Sequence, residues 1–245
     1  MKMGAPAPAS TRYCRRNPAG RRNRMHERSH RRLWLARRDA RVLAMERPII
    51  ALDADGVLLD YHLAYADAWQ RAFGEYPAER DPQAYWPMDR WQVERLGLIK
   101  RARFRAEFGE PFWSTVPSIP GAVEACHRLH AAGYTLVCVS ALEPRFEDAR
   151  RRNLRALDFP IERVIATGDA GRDRSPKADA VEQLAPQAFV DDYLPYFRGI
   201  PGPVHTALVT RGAPNGSPNV GPELELASST HHDLADFVDY WLARR

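Results

Sequence analysis

The sequence predicts an α/β fold built on a doubly wound parallel sheet, and three observations predict it. Two short apolar runs, Ile49-Ile-Ala-Leu52 and Gln187-Ala-Phe-Val190, each end abruptly in paired carboxylates, Asp53-x-Asp55 and Asp191-Asp192. Further apolar runs alternate with helical patterns over the C-terminal half of the chain, as expected of strands covered on both faces by helices. One interval, from Tyr61 to Pro117, holds no convincing strand and reads as a helical insertion after the first strand.

Taken in order, Ile49 to Leu52 is a strand buried on both faces, because an unbroken Ile/Leu run leaves no polar side for water. Alternation along an extended segment sends Asp53 and Asp55 the same way, and Gly56 lets the backbone turn sharply after them. Ala122 to Ala132 has helical spacing and Gly133 breaks it; Tyr134 to Val139 is the second strand and runs into Ser140. Phe146 to Leu157 is a helix and Val164 to Thr167 a strand. Ser175-Pro176-Lys177 opens the next helix, with Ser175 as N-cap and Pro176 in the first helical position, and the helical pattern runs over Ala178 to Leu184. A lysine in a first turn opposes the helix dipole, which points to another task for Lys177. Ala188 to Val190 and Thr206 to Thr210 are strands, and Leu234 to Ala243 is a terminal helix.

In open parallel sheets ligands bind beyond the carboxyl ends of the strands, so Asp53, Asp55, Asp191 and Asp192 fall where chemistry is done. Paired acids without a basic neighbour in sequence call for a cation. Magnesium suits such oxygen ligands, and there is no Cys/His cluster to hold a transition metal. The adjacent His231 and His232 read as flanking the terminal helix.

In this order Asp53-x-Asp55, Ser140, Lys177 and Asp191-Asp192 resemble the four motifs of the haloacid dehalogenase-like hydrolase superfamily, over about residues 47–245. The resemblance implies a Rossmann-like core and assigns roles. Asp53 would be the nucleophile that becomes an aspartyl phosphate, a known use of a carboxylate. Asp55 would protonate the leaving alcohol and then activate water, with its backbone carbonyl on magnesium. Ser140 would hydrogen-bond the phosphoryl oxygens, Lys177 would neutralise charge between the nucleophile and the bound phosphate, and Asp191 and Asp192 would complete the metal site. Members that displace halide lack the second acid, so Asp55 implies phosphate ester hydrolysis. Phosphonate-cleaving members add a lysine in the cap; between Tyr61 and Pro117 there is only Lys100, which fits a solvated surface.

The expected division is a core of residues 47–62 and 116–245 and a small helical cap of residues 63–115. The cap is rich in aromatics and arginines, among them Tyr85, Trp86, Trp91, Phe104, Phe112 and Trp113. An insertion this small needs most of its aromatics for its own core. Tyr61 and His62, directly after the turn, are expected at the mouth of the site as substrate-binding residues.

Composition sets the outer limits. No apolar run approaches the ~20 residues that span a membrane. Three cysteines, Cys14, Cys126 and Cys138, make no disulfide framework and fit a reducing cytoplasm. Residues 1–47 hold fourteen Lys or Arg against three acids, a net of +11 that leaves −6 of the overall +5 for the rest. Residues 1–46 therefore read as a basic, disordered tail: an arm for nucleic acid or an anionic membrane, an organellar transit peptide, or, as preferred here, no part of the natural protein, because Met45 stands where a compact enzyme of this type would begin. The expected function is a magnesium-dependent phosphomonoesterase acting on a small phosphorylated metabolite, nucleotides first, with no obligatory nucleic acid and no membrane partner. The alternative is a non-catalytic phosphate-sensing or RNA-associated module that uses the Arg-rich arm.

Overall fold

A computed structural model describes residues 47–169, 171, 173–212 and 215–244. The basic tail and Cys14 lie outside the described residues. Six strands form one parallel sheet in the order β3-β2-β1-β4-β5-β6: β1 Ile49–Leu52, β2 Thr135–Ser140, β3 Arg163–Ala166, β4 Ala188–Asp191, β5 His205–Val209 and β6 Ser229–His231. Ile50 of β1 stands opposite Leu136 on one side and Ala188 on the other. The chain winds outward from β1 in one direction through β3 and then in the other through β6. The crevice between the carboxyl ends of β1 and β4 is thus the topological switch point, the place where such sheets bind ligands.

Strand alternation divides the core into two layers. Ile50, Leu52, Leu136, Cys138 and Val190 face one layer, closed by α5 (Ala122–Ala131), α6 (Glu147–Ala156) and α8 (Leu234–Leu242) through Leu129, Leu154 and Phe237. Ala51, Val137, Val139, Phe189 and Leu208 face the other, closed by α7 (Ala178–Leu184) and the 3₁₀ turn Leu194–Phe197.

The interval after β1 carries α1 (Tyr61–Phe73), α2 (Pro87–Arg90), α3 (Leu98–Ala106) and α4 (Glu110–Trp113), and none of the six strands. Asp60 caps α1 by accepting from the Leu63 amide at 3.1 Å, and Gly74 ends it in the left-handed conformation. Tyr65, Trp69 and Phe73 of α1 pack on Phe104 of α3, which meets Phe108 edge-on at 5.0 Å. Phe104, Phe112, Tyr85 and Trp91 are buried, as expected of aromatics that serve the insertion's own packing.

The structure departs from the sequence expectations in three places. Helix α7 begins at Ala178, so Lys177 is its N-cap and the Ser175 hydroxyl accepts from the Lys177 amide at 3.1 Å; Ser175-Pro176 form the turn before the helix. Strand β1 ends at Leu52, and Asp55 is presented by a turn in which the Leu58 and Leu59 amides both donate to the Ala54 carbonyl. Strand β6 carries no apolar run to announce it. It forms because β5 offers a free backbone edge, and Thr206 anchors its start by donating to the Leu226 carbonyl and accepting from the Ser228 amide.

Candidate active site

Asp53 follows the last residue of the central strand, and its amide donates to the Val190 carbonyl at 2.9 Å, which fixes it beside the end of β4. Below it lies Lys177, fully buried, whose Nζ donates to Asp53 Oδ1 at 2.6 Å and to Asp191 Oδ2 at 2.7 Å. The ammonium also stands over the Tyr196 ring at 4.5 Å. Burial alone would pull the Lys177 pKa down, but the Asp191 and Asp53 carboxylates more than offset it and hold the ammonium above its ordinary range. Asp191 spends its other oxygen on the Tyr193 amide at 2.9 Å.

The second acid of each pair faces a cavity of about 410 Å³ above this floor. Asp55 is held by Arg150 of α6, whose Nη2 donates to Oδ1 at 2.8 Å and Oδ2 at 2.9 Å. Burial pushes the Asp55 carboxyl above the usual range, against the pull of Arg150. Asp192 pairs with Arg211 at 3.0 Å, and burial raises its pKa to about 6 despite that arginine. Gly56 lets Asp192 come this close: its φ is +92°, and a Cβ there would lie 2.2 Å from Asp192 Oδ2.

Ser140, the last residue of β2, is buried and lines the same cavity. Tyr61 and His62 line it too. The Tyr61 ring lies nearly parallel to Trp113, centroids 6.2 Å apart. The His62 ring is 2.9 Å from the Tyr85 carbonyl and within 3.5 Å of both Arg90 and Arg211; burial and these two cations lower its pKa to about 4, so it is neutral at pH 7. The structure therefore brings all the sequence-selected residues to one place, six of them on the cavity wall and two, Lys177 and Asp191, in the floor behind it.

Sequence reasoning missed Arg150 and Arg211, and it assigned Tyr85 to the insertion's own core, whereas Tyr85 lines the cavity. Arg211 follows β5 with no motif around it, yet it lines the cavity and lies over the Tyr85 ring at 4.8 Å. Arg150 opens an Arg-Arg-Arg run that reads as a solvated face. A signal was present: Ala149, Asn153 and Leu154 mark the buried side of α6, and Arg150 falls on it while Arg151 and Arg152 are exposed.

The donor set fits a hard divalent cation. Asp53, Asp191 and Asp192 each offer an oxygen within 4.8 Å of the others, all three buried, with no thiolate or imidazole among them. These three carboxylates face two cations, Lys177 and Arg211, which leaves net negative charge for a metal to neutralise.

A family model for the haloacid dehalogenase-like hydrolases matches residues 48–192, which includes every one of these acids and the lysine. The chain belongs to this family. Its haloacid dehalogenase-like fold is also seen in solved structures. A provisionally assigned beta-phosphoglucomutase of Thermotoga maritima has a TM-score of 0.52 at 17% identity, over 80% of this chain and 99% of that one. A family hydrolase of Deinococcus radiodurans R1, solved with phosphate and sodium bound, has a TM-score of 0.52 at 18% identity, over 81% and 96%. Among curated proteins, a provisionally named 5'(3')-deoxyribonucleotidase of Bordetella bronchiseptica is 33% identical over 98 residues, 38% of this chain and 50% of that protein. A protein of Bordetella pertussis with the same name matches to the same extent. The chain thus spans about half the length of the curated relatives it matches. No helix among the described residues is long and apolar enough to cross a membrane.

Proposed function

We propose that the protein is a magnesium-dependent phosphoric monoester hydrolase that works through an aspartyl phosphate on Asp53. The observation that carries this reading is the pairing of Asp53 with the buried Lys177 at the switch point, with Asp55 held apart from it by its own arginine and facing the same cavity. A phosphoryl transfer site needs a positioned nucleophile, positive charge around the transferred oxygens and a separate acid, and little other covalent chemistry.

In this reading Asp53 attacks phosphorus and Asp55 gives its proton to the departing alcohol oxygen. Asp55 then takes a proton from water, and the water oxygen displaces the Asp53 carboxylate to release inorganic phosphate. Lys177 keeps Asp53 oriented and offsets charge beneath it, while Ser140 donates to a phosphoryl oxygen. Asp53, Asp191, Asp192 and the Asp55 carbonyl would hold magnesium, which supplies positive charge at the phosphoryl group when bound. Residues 63–115 act as the cap over this site, and Tyr61 and His62 form part of the substrate's seat.

The substrate is a small phosphorylated metabolite, and a nucleoside monophosphate is the first choice. The rings of Tyr61, Tyr85, Trp86 and Trp113 on the cavity wall supply faces for a base, and the names of the Bordetella relatives point the same way. A cytoplasmic place fits free buried Cys126 and Cys138. The test is phosphate release from a panel of nucleotides and sugar phosphates, with magnesium and with a chelator. Release that needs magnesium and favours nucleotides is expected; equal release in chelator overturns the metal assignment, and release from no ester overturns the phosphatase reading.

A further inference from the structure

Arg150 belongs to none of the four motifs, yet its side chain is fully buried and reaches from α6 to the cavity-facing carboxylate. One of its nitrogens donates to both oxygens of Asp55, and its guanidinium lies 5.3 Å from the Trp113 ring centre. Its Nε and Nη1 are buried without a hydrogen-bond partner among the described residues. A buried cation with two nitrogens unpaired is a poor source of stability, since an apolar side chain of similar volume is often at least as good. The gain must lie elsewhere. Asp55 sits on a turn, its side chain 27% exposed, and Arg150 holds both carboxylate oxygens. Helix α6 is itself pinned, because Asn153 donates to the Val116 carbonyl at 2.7 Å.

We propose that Arg150 is the positioning residue for proton transfer, fixing the Asp55 carboxyl toward the leaving oxygen of the substrate. The inference rests on the phosphomonoesterase reading above. In the step concerned, the bond from Asp53 to phosphorus forms as the bond from phosphorus to the alcohol oxygen breaks, and that oxygen takes the proton of Asp55. The electron pair of the broken bond becomes the new O–H bond, and Asp55 is left as a carboxylate. An alkoxide leaving group depends on this proton; p-nitrophenolate is stable as an anion and does not.

The experiment measures kcat/KM for Arg150→Lys and Arg150→Ala on an alkyl phosphate, glycerol 2-phosphate, and on p-nitrophenyl phosphate. General acid catalysis contributes about 10²–10⁴-fold, so a loss of about 10² or more is expected on the alkyl ester against less than about tenfold on the aryl ester. A burst of p-nitrophenolate should also appear, because misplaced Asp55 slows the water step that follows. Added guanidinium should restore alkyl ester turnover to Arg150→Ala. Equal losses on both esters in a variant with an unchanged melting profile overturn the proposal and leave Arg150 a structural residue. If Arg150→Ala does not fold, the ratio of the two losses in Arg150→Lys decides alone. Wild-type protein that hydrolyses neither ester in magnesium overturns the phosphatase reading itself, a result distinct from failure of the arginine's role.

Discussion

Each pair of acids at the switch point is split between two environments. Asp53, on the cavity wall, and Asp191, behind it, share one lysine of the floor, whose side chain is 1% exposed; Asp55 and Asp192 face the cavity, each with its own arginine, of which Arg150 is fully buried and Arg211 is 26% exposed. Lys177 answers both acids, so removing it leaves two buried carboxylates uncompensated with no water to take over, whereas neutralising Asp53 leaves Lys177 paired with Asp191. Arg211 is part-open to the cavity, where water or a ligand can replace a lost contact. One chemistry, carboxylate against cation, therefore serves as a rigid anchor at Lys177 and Arg150 and as an adjustable surface at Arg211.

The largest test of the contrast is Asp53→Asn. The amide keeps the shape of the carboxylate but cannot act as nucleophile, and activity on any phosphate ester should fall about 10³-fold or more with little change in melting temperature. Appreciable turnover would remove Asp53 from its role. Next is the floor lysine: Lys177→Met strands Asp53 and Asp191 and should cost about 3–5 kcal/mol in denaturant unfolding. A loss below that of Arg211→Met, expected at about 1–2 kcal/mol because its site is part-open, would erase the distinction between floor and wall.

Gly56→Ala probes the close approach of Asp192 on the cavity wall. The added methyl must displace Asp192 and sit at positive φ, so a loss of about 2–3 kcal/mol and weaker magnesium dependence are expected. An unchanged unfolding curve would show that Asp192 has room to move.

The smallest effect is in the pH dependence. Asp192 has a folded pKa of about 6 against 3.8 unperturbed, so the native state keeps a proton that the unfolded chain has lost; its contribution to stability falls as pH rises from about 4 to about 6. His62, at about 4 against 6.5, works in the opposite sense and favours the fold as pH rises through the same window. Magnesium held by Asp192, as proposed, would compete with its proton, so its stabilising effect should be larger at pH 7.5 than at pH 5, by about 2–4 °C in melting temperature. An equal shift at both values would place the metal away from Asp192.

The sequence by itself determined the sheet and the acids. Ile49 to Leu52 and Ala188 to Val190 are apolar on both faces, so burial left them no other role, and the carboxylates that end them had to lie at the carboxyl edge of the sheet. It also singled out Lys177 as a misplaced helix cation, though the helix starts two residues later than its Ser-Pro signal suggests. What the sequence could not show is which cation answers which acid. Arg150 lies 95 residues from Asp55 and within an arginine run that reads as solvated, and Arg211 has no local pattern at all. Only the packing of α6 and the return of β5 bring them to these acids. Backbone pairing likewise decided β6, whose Ser-Thr-His carries no apolar signal because its place comes from the free edge of β5. Apolar periodicity is a local property and is written in neighbouring residues; the pairing of distant charges is set by topology, and no local window contains it.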